Sequence, residues 1–385
     1  MAWIEASVVA QRAAFVAAVM SGETPMNWLC ADYGISRKTG YKWLERYAAE
    51  GARGLLDRSR APKRHGRATS AEIAEAIVEM KRARPYWGPR KLLARLAHIY
   101  PDTAWPSHST ASALLKQRGL TTPQRRRRHA FATPGRLVMP ERPNQVWSVD
   151  HKGWVRLGDR TRCEPLTVSC GFSRYLIALS GTTGTDARQA RTVFERAFAE
   201  HGLPEIIRSD NGAPFATASP SGLTALSAWW ISLGVAIERI APGKPQQNGR
   251  HERFHLTLME TLRPPAANRA QQQKRFDAFR CDYNETRPHE ALGQKPPASA
   301  WRPSPRQMPR RIPEPDYAAA AAVRRVRSNG EIRWDGRLVF VSTALAGRFV
   351  ALDEADADAA MVRFYRHRVG LIAPAAVKVS PIHPG

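Results

Sequence analysis

The sequence has little cysteine and no long apolar run. Four cysteines occur among 385 residues and none forms a CxxC pair. A zinc site built from cysteine pairs and a disulfide framework are therefore not indicated, and a reducing cytoplasm is expected. Every apolar run is shorter than the roughly 20 residues that a membrane-spanning helix needs, so no membrane partner is predicted. The first 20 residues lack a basic leader region and predict an amphipathic helix, not a signal peptide.

Acidic residues are also scarce relative to basic ones. Lys and Arg number 59 against 34 Asp and Glu, which gives a formal net charge of +25. An excess of this size indicates a polyanionic partner, and nucleic acid is the first candidate. Charge alone does not separate DNA from RNA. With 43% hydrophobic and 24% charged residues, the chain can build large cores, and its length suits two to four domains.

The segment NWLCADYGISRKTGYKWLERY is typical of a helix, a tight turn and a second helix. Ser36 is predicted to cap the second helix. In a helix-turn-helix, the start of the second helix meets the base edges of DNA. Any two short helices joined by glycine give a similar pattern, so the motif alone does not settle this interpretation. Three basic side chains near the start of the second helix are predicted to contact DNA: Arg37, Lys38 and Lys42.

The next stretch predicts three more helices. Thr69 and Glu72 fit a capping box for the first, Pro89 lies near the start of the second, and Gly119 is a natural cap after the third. A second DNA-binding module and a small packing domain fit this pattern about equally well. An Arg- and Pro-rich linker follows, and its arginine run could track a phosphate backbone. That run consists of Arg125, Arg126, Arg127 and Arg128.

From about residue 146 the pattern changes to alternating strands and helices. VWSVDHKGWVRL, EPLTVSCG and RYLIALSG predict three strands, with a hairpin turn at Gly158-Asp159. A helix that ends at Gly202 follows, then the strand PEIIRSD, the helix SGLTALSAWWISLG, the strand VAIERI and the helix NGRHERFHLTLMETL. The order βββαβαβα predicts an α/β core, in which a mixed sheet carries helices on its faces.

The C-terminal region predicts a small β-barrel-like domain. Ser328-Asn329-Gly330 and Asp335-Gly336 are predicted hairpin turns between short alternating runs. The chain is thus expected to be multidomain, with helical helix-turn-helix modules before the α/β core. The predicted boundaries are 1–56 and 69–120 for two helical DNA-binding modules, 57–68 for a basic linker, 121–145 for the Arg/Pro-rich linker, 146–301 for the core, 302–322 for a Pro/Ala-rich linker and 323–385 for the β domain.

Three acidic residues of the core could act together. Asp150 lies inside a predicted strand, Asp210 ends another, and Glu252 falls in the first turn of a helix. Such positions can converge at one edge of a sheet, and carboxylate oxygens are preferred ligands of Mg²⁺ and Mn²⁺. Each residue alone also has an ordinary interpretation: a hydrogen-bonded buried acid, a turn cap, or a glutamate favoured by the helix dipole.

Several segments carry a resemblance to a known family. QVWSVDHKG, LTVSCGFSRYLIAL, IIRSDNGAPF, IERIAPGKPQQNGRHERFH and YNETRPHEALGQKPPASAW resemble the catalytic core of DDE transposases and retroviral integrases. They are most similar to bacterial insertion-sequence transposases, and the likeness runs from about 144 to 301. The resemblance implies a ribonuclease-H-like fold and two divalent ions, Mg²⁺ or Mn²⁺. It implies water attacking a phosphodiester at the element end, followed by attack of the freed 3′-hydroxyl on target DNA.

The family pattern places its three acidic ligands on Asp150, Asp210 and Glu252. By that resemblance Asp150 bridges both metals, and Asp210 and Glu252 each hold one. Two departures occur. The 42 positions from 210 to 252 exceed the shortest family spacing, with the extra residues in ATASPSGLTALS. Cys170 stands where relatives carry an acidic residue, which puts the local turn geometry in question.

Residues 251–255 also read His-Glu-Arg-Phe-His, a literal HExxH. On a helix, His251 and His255 share a face, as zinc metalloproteases require, with Glu252 as general base. The basic context favours DNA over peptide, and the carboxylate triad already accounts for the glutamate. The histidines would then face DNA phosphate or position Glu252. A DNA-binding regulator with an inactive core is another alternative, against which the intact acidic triad argues.

The resemblance also implies DNA as the partner, both the terminal inverted repeats of an element and the target. The protein is expected to act as a homo-oligomer on DNA and to associate with the nucleoid in the cytoplasm. Further predicted DNA contacts surround the third acidic residue: Lys244, Gln246, Asn248, Arg250 and Arg253.

Overall fold

The computed structural model describes residues 7–58, 69–121, 137–241, 249–261, 263–318, 321–355 and 359–381. Within the helix at 249–261, the side chains of 249–252, 260 and 261 are outside this description. The chain divides into two compact units, residues 1–68 and 69–385. No helix in the described ranges has the length and apolar character needed to cross a membrane.

The first unit is helical. The hydroxyl of Ser36 accepts a hydrogen bond from the Thr39 N–H, which confirms the predicted cap of the second motif helix. Gly40 faces the other helices so closely that a Cβ there would lie 2.8 Å from Cys30 Sγ. The elements are α1 (Val8–Ser21), α2 (Met26–Asp32), α3 (Arg37–Glu50) and a 3₁₀ turn (Gly51–Leu55).

The second unit begins with three helices, named here the second helical module: α4 (Ala71–Ala83), α5 (Pro89–Ile99) and α6 (His108–Gln117). The predicted capping box at Thr69 and Glu72 is wrong by one residue. Ser70 caps α4 by accepting from the Ile73 N–H, so Glu72 sits too early in the helix to reach back to the cap. Gly119 follows α6 with φ 69°, as expected of a C-terminal cap.

A mixed six-stranded sheet follows. β3 pairs antiparallel with β4 on one side and with β1 and β2 on the other. β1 pairs parallel with β5, which pairs parallel with β6. The mixed sheet of the expected fold class is therefore confirmed. The strands are β1 (Val146–His151), β2 (Val155–Arg156), β3 (Arg162–Cys170), β4 (Leu176–Thr182), β5 (Ile206–Ser209) and β6 (Ala236–Arg239).

The single strand predicted for VWSVDHKGWVRL is wrong, because residues 152–154 interrupt it. His151 pairs with Leu166 and Val155 with Cys163, so three residues of one strand face two of the other. Pro165 lies opposite the interruption, and its carbonyl accepts from the Lys152 N–H while its own nitrogen has no hydrogen to donate. The extra residue forms a bulge that separates β1 from β2.

Helices cover the sheet: α7 (Ala187–His201), α8 (Ala225–Ser232), α9 (Gly249–Thr261) and α10 (Arg269–Glu285). α8 begins at the end of the segment that lengthens the spacing between Asp210 and Glu252. Seven of its residues, Leu226–Ser232, are buried, because it packs on two cores. Leu226, Trp229 and Trp230 join the core of the sheet, whereas Leu223 just before the helix, Ala228 and Ile231 join the core of the C-terminal region.

The predicted order βββαβαβα omits α10, which follows α9. Its side chains Gln273, Arg280 and Asn284 make hydrogen bonds of 2.8–3.0 Å to the outer backbone edge of β4. The helix thereby satisfies the groups that a further strand would otherwise pair with. The backbone partners are Leu176, Ile177, Leu179 and Gly181.

The C-terminal region contains two antiparallel sheets. Asp335 and Gly336, with φ of 46° and 72°, form the predicted hairpin turn between β8 and β9. The predicted hairpin at Ser328-Asn329-Gly330 is wrong: the turn exists, but β7 pairs with β10 instead of β8. The strands are β7 (Ala322–Arg325), β8 (Glu331–Trp334), β9 (Arg337–Phe340), β10 (Phe349–Glu354), β11 (Ala360–Phe364) and β12 (His367–Ile372).

Candidate active site

Two of the predicted acidic residues lie at the same level of neighbouring parallel strands. The register pairs Val146 with Ile206 and Ser148 with Arg208, an offset of 60 residues. Extended two residues beyond the last pair, the same offset puts Asp150 level with Asp210, which directly follows β5. Adjacent strands lie about 4.8 Å apart, so the sheet brings these two carboxylate residues together at its carboxyl-terminal edge.

Asp210 is held in a tight turn. Its Oδ1 accepts a hydrogen bond from the Gly212 N–H at 3.1 Å, as an aspartate before Asn-Gly commonly does. The side chain of Asn211 donates to the carbonyl of Ile240, just after β6, at 2.8 Å. The turn is thus tied to the neighbouring strand, and this bond uses only one of the two carboxylate oxygens of Asp210.

Helix α9 crosses the sheet at Asp150. His255, only 4% exposed, lies with its Nδ1 3.7 Å from Asp150 Oδ2 and its Nε2 2.9 Å from the hydroxyl of Thr167 on β3. That hydroxyl also lies 3.0 Å from the backbone carbonyl of Asp150, so it links the imidazole to the backbone of β1. Sequence reasoning missed Thr167, which only the pairing of β1 with β3 brings to this place.

The backbone of α9 also sets the place of the third predicted residue. Glu252 lies three positions before His255, and residues three apart share a helix face. Its side chain lies outside the described part of the structure, as do those of Arg250 and His251. Among the side chains that are described, no three His, Cys, Asp or Glu groups come together as a metal site. Asp150 and Asp210 each carry carboxylate oxygens, the donor type that Mg²⁺ prefers.

His151, next to Asp150, lies in a different environment. Its ring stacks on Phe215 with 5.6 Å between centroids. Burial lowers the pKa of His151, against smaller opposing effects from Glu164 and Asp210. The imidazole is therefore neutral near pH 7 and adds no positive charge beside the two aspartates.

A buried ion pair supports the strand that carries Asp210. Arg208 Nε lies 2.5 Å from Glu238 Oε2 on β6. Both side chains also bind the backbone of Val138, whose N–H donates to Glu238 and whose carbonyl accepts from Arg208. These bonds therefore join the segment before β1 to β5 and β6, two residues before Asp210.

The predicted DNA contacts are distributed widely. Arg37, Lys38 and Lys42 are exposed on α3, where Tyr41 is exposed beside them, and Lys42 Nζ also lies 4.5 Å from the centroid of Trp43. Arg253 is exposed on α9. The remaining predicted contacts lie outside the described residues or side chains: Arg125, Arg126, Arg127, Arg128, Lys244, Gln246, Asn248 and Arg250.

The structure bears on the HExxH pattern and on the turn at Cys170. Both ring nitrogens of His255 face groups of the sheet, Thr167 and Asp150, which does not suit an open zinc site. Cys170 is buried, and its turn closes normally: its N–H donates to the Tyr175 carbonyl at 2.8 Å, and Arg174 adopts φ 64°.

Parts of the chain match known domain families. Residues 140–245 and 233–297 match the family described as Integrase core domain. Residues 11–63 match a Helix-turn-helix domain, and residues 39–115 match a Homeodomain-like domain. Residues 140–297 are thus similar to integrase core domains, and the region before them is similar to helix-turn-helix domains.

Two of the relatives are insertion-element proteins. The chain is 29% identical over 230 residues to the insertion element IS407 uncharacterized 31.7 kDa protein of Burkholderia multivorans, across 59% of this chain and 79% of that protein. It is 26% identical over 229 residues to the IS476 39.2 kDa protein of Xanthomonas euvesicatoria, of which the match spans 63%.

A solved structure is similar at a lower level. The HTLV-2 integrase catalytic core domain, determined in complex with magnesium, shares 14% identity and a TM-score of 0.31. The match covers 42% of this chain and 97% of that one.

Proposed function

We propose that this protein is a transposase that binds the ends of a mobile DNA element and catalyses metal-dependent strand cleavage and strand transfer. The observation that supports the proposal is the register of β1 and β5, whose continuation by two residues beyond the last pair puts Asp150 level with Asp210. The contact of His255 with Asp150 brings α9, the helix of Glu252, to the same place. An integrase core domain and relatives from insertion elements support the same conclusion.

In this proposal Asp150, Asp210 and Glu252 hold two Mg²⁺ or Mn²⁺ ions, with Asp150 shared between them. Such a pair of ions stabilises the attacking and the leaving oxygens of a phosphodiester displacement. The residues of the chain itself place the ligands. The Asn-Gly turn fixes Asp210, and His255 with Thr167 fixes the level of α9 against β1.

Sequence-specific binding is assigned to the first unit. Arg37, Lys38 and Lys42 lie exposed on α3. Lys38 and Lys42 are four residues apart and share a helix face, and Arg37 precedes them at the start of the helix, the part that meets base edges in a helix-turn-helix. The preferred substrates are the terminal inverted repeats of the element and then target DNA. The protein is proposed to act as a homo-oligomer on paired ends.

The test is strand nicking on a labelled duplex that carries the element end, with Mg²⁺ or Mn²⁺ present. Asp150→Asn and Asp210→Asn should abolish nicking and strand transfer, because a neutral amide is a poor ligand for Mg²⁺. Binding of the element end should persist. Asp277→Asn is the matched control, since it removes an exposed carboxylate of α10 in the same core.

Two outcomes would count against the proposal. Full nicking by Asp150→Asn would overturn the assignment of the site. Peptide cleavage that requires zinc, His251 and His255, with Asp150 and Asp210 dispensable, would favour the metalloprotease alternative. Glu252→Ala does not distinguish the two, since both need that carboxylate.

A further inference from the structure

A hairpin extends the sheet past the candidate active site, and we name its residues 152–163 the strand arm. β1 pairs with β5 as far as Ser148, and β3 pairs with β4 from Glu164 onward. Beyond these pairs, β2 and the start of β3 pair with each other. The strand arm therefore projects beyond the carboxyl-terminal edge of the sheet, the edge at which Asp150 lies.

The strand arm is fixed at its base and at its tip. At the base, the Lys152 N–H donates to the Pro165 carbonyl at 2.9 Å, and at the tip the Gly158 N–H donates to the Ala266 carbonyl at 3.0 Å. The tip packs so closely that a Cβ on Gly158 would lie 2.9 Å from the Ala267 Cα. The side chains of the strand arm are thus presented on an ordered backbone.

Trp154 lies between these two attachments. It is 52% exposed, although tryptophan is one of the largest apolar side chains and is mostly buried on average. Arg162 lies with its Cζ 5.4 Å from the centroid of the indole ring, which is a cation–π distance. Arg162 is itself held by Glu164, with 2.7 Å between Nη2 and Oε2. The ring is therefore supported in a fixed orientation, while about half of its surface stays open to a partner.

The open ring lies within reach of a DNA strand at the candidate active site. Trp154 follows Asp150 by four positions, and four residues of extended chain span at most about 14 Å. DNA advances about 3.4 Å per nucleotide along one strand. A strand with a phosphate at Asp150 therefore has its next few bases within range of the indole.

The charge of the strand arm suits a nucleic-acid partner. Arg156 is exposed, pairs across the two strands with Arg162, and lies two positions after Trp154, so it shares a face with the ring. Aromatic rings flanked by cations bind single strands, since the ring stacks on a base and the cations follow the backbone. The strand arm carries four basic residues against one acidic: Lys152, Arg156, Arg160 and Arg162 against Asp159.

An unpaired base offers a face to such a ring, whereas inside a duplex both faces of a base are covered by its neighbours. We infer that the strand arm binds an unpaired stretch of the DNA strand beside the cut, with a base stacked on Trp154 and the adjacent phosphate bound by Arg156. The inference rests on the proposed function and adds the conformation of its substrate. Every base has a face that can stack, so this contact should tolerate any sequence.

The experiment measures DNA binding by the full chain in metal-free buffer, so that it does not depend on catalysis. Fluorescence anisotropy follows three labelled probes: an oligothymidylate single strand, a fully paired element end, and the same end with mismatched base pairs beside the cut. Trp154→Ala removes the ring, Trp154→Phe keeps an aromatic face, and Phe349→Ala removes an exposed aromatic ring of β10. Thermal unfolding of each variant verifies the fold.

Trp154→Ala should weaken binding of the single strand and of the mismatched end by roughly tenfold, a loss in the range expected for one stacked base. Binding of the fully paired end should change by less than about twofold, because no base there is free to stack. Trp154→Phe should recover most of the lost affinity, and Phe349→Ala should match the unaltered chain. Equal losses on all three probes, or unchanged affinities in folded Trp154→Ala, overturn the inference.

Arg156→Gln tests the phosphate contact on the same single strand. It should make the slope of log K against log salt shallower by about 0.7, the value for one phosphate of a single strand. Arg196→Gln, which changes an exposed arginine of α7, should leave the slope as it is in the unaltered chain. An unchanged slope in folded Arg156→Gln contradicts the inference.

Two further measurements separate the alternatives. A 5-iodouracil in the mismatched stretch should cross-link to Trp154 of the unaltered chain on irradiation, and cross-links that map to other residues instead contradict the inference. A second copy of the chain is the rival occupant of the ring. If Trp154→Ala alters the oligomeric state in sedimentation without DNA and leaves single-strand binding unchanged, the ring belongs to a protein interface and the inference is overturned. Failure of nicking by the unaltered chain bears on the proposed function alone, since these measurements are made without metal.

Discussion

His255 on α9 and Asp150 on β1 lie 3.7 Å apart, Nδ1 to Oδ2, although 105 positions separate them in the sequence. The other ring nitrogen of His255 binds Thr167, whose hydroxyl also binds the backbone of Asp150. One imidazole therefore fixes a helix against two strands of the sheet at the level of the candidate metal ligands.

His255→Ala should lower the nicking rate by roughly 10–100-fold without abolishing it, because it removes a group that orients ligands but is not proposed as a ligand. His255→Gln should recover part of the rate, since its amide can still donate to Thr167. The measurement is the single-turnover nicking rate, with thermal unfolding recorded in parallel and His98→Ala, an exposed histidine, as control. A rate equal to that of the unaltered chain would contradict the positioning role.

The combined substitution of Arg37, Lys38 and Lys42 by alanine should remove discrimination between element ends and random DNA. Loss of each base-reading contact is expected to cost about 1–3 kcal/mol. Competition binding with both duplexes measures the ratio. Arg53→Ala, which changes an exposed arginine outside α3, should leave that ratio unchanged. Undiminished discrimination by the triple variant would show that α3 does not read the sequence.

The stability of the second unit should fall as the pH falls below about 6.5. Burial, aided by the charge of Arg239, lowers the pKa of His367 from 6.5 to about 4. The unfolded chain therefore binds a proton that the folded chain does not, and between pH 7 and 5 this residue should remove about 2 kcal/mol of stability. Urea unfolding at both pH values should show that the free energy of unfolding changes less between pH 7 and 5 in His367→Gln than in the unaltered chain. If the variant and the unaltered chain lost the same free energy of unfolding, His367 would not be a buried neutral imidazole.

Arg208→Met should destabilise the chain by about 3 kcal/mol, because it leaves the carboxylate of Glu238 buried without its partner. Arg208→Met combined with Glu238→Gln should be less destabilised than the first variant alone, since no unpaired charge remains. Urea unfolding of the two variants supplies the comparison. Equal stabilities would indicate that water reaches Glu238 when the arginine is absent.

Local signals predicted much of the fold. A serine one residue before a helix, as at Ser36, accepts a bond from its own segment, and Asp335-Gly336 can adopt the positive φ values of a tight hairpin. Such features depend on neighbours in sequence. The order of Asp150, Asp210 and Glu252 and the motifs around them likewise indicated an integrase-type core before any contact was known.

Features that depend on distant partners could not be predicted in this way. The interruption at 152–154 arises from Pro165, which faces it only once β1 and β3 have paired. α10 did leave a signal, since Asn268 caps it and Phe276, Phe279 and Tyr283 recur at helical spacing. No sequence signal pointed to the hydrogen bond between Thr167 and His255, because a threonine in an apolar strand is ordinary.

The bonds from α10 to β4 have a consequence for how copies of this chain can meet. An unpaired strand edge offers its amides to any extended segment nearby, which is a route to strand exchange and aggregation. Here Gln273, Arg280 and Asn284 occupy that edge. This edge is therefore closed to strand exchange between copies of the chain, and the amide protons of β4 should exchange with solvent as slowly as those of an interior strand.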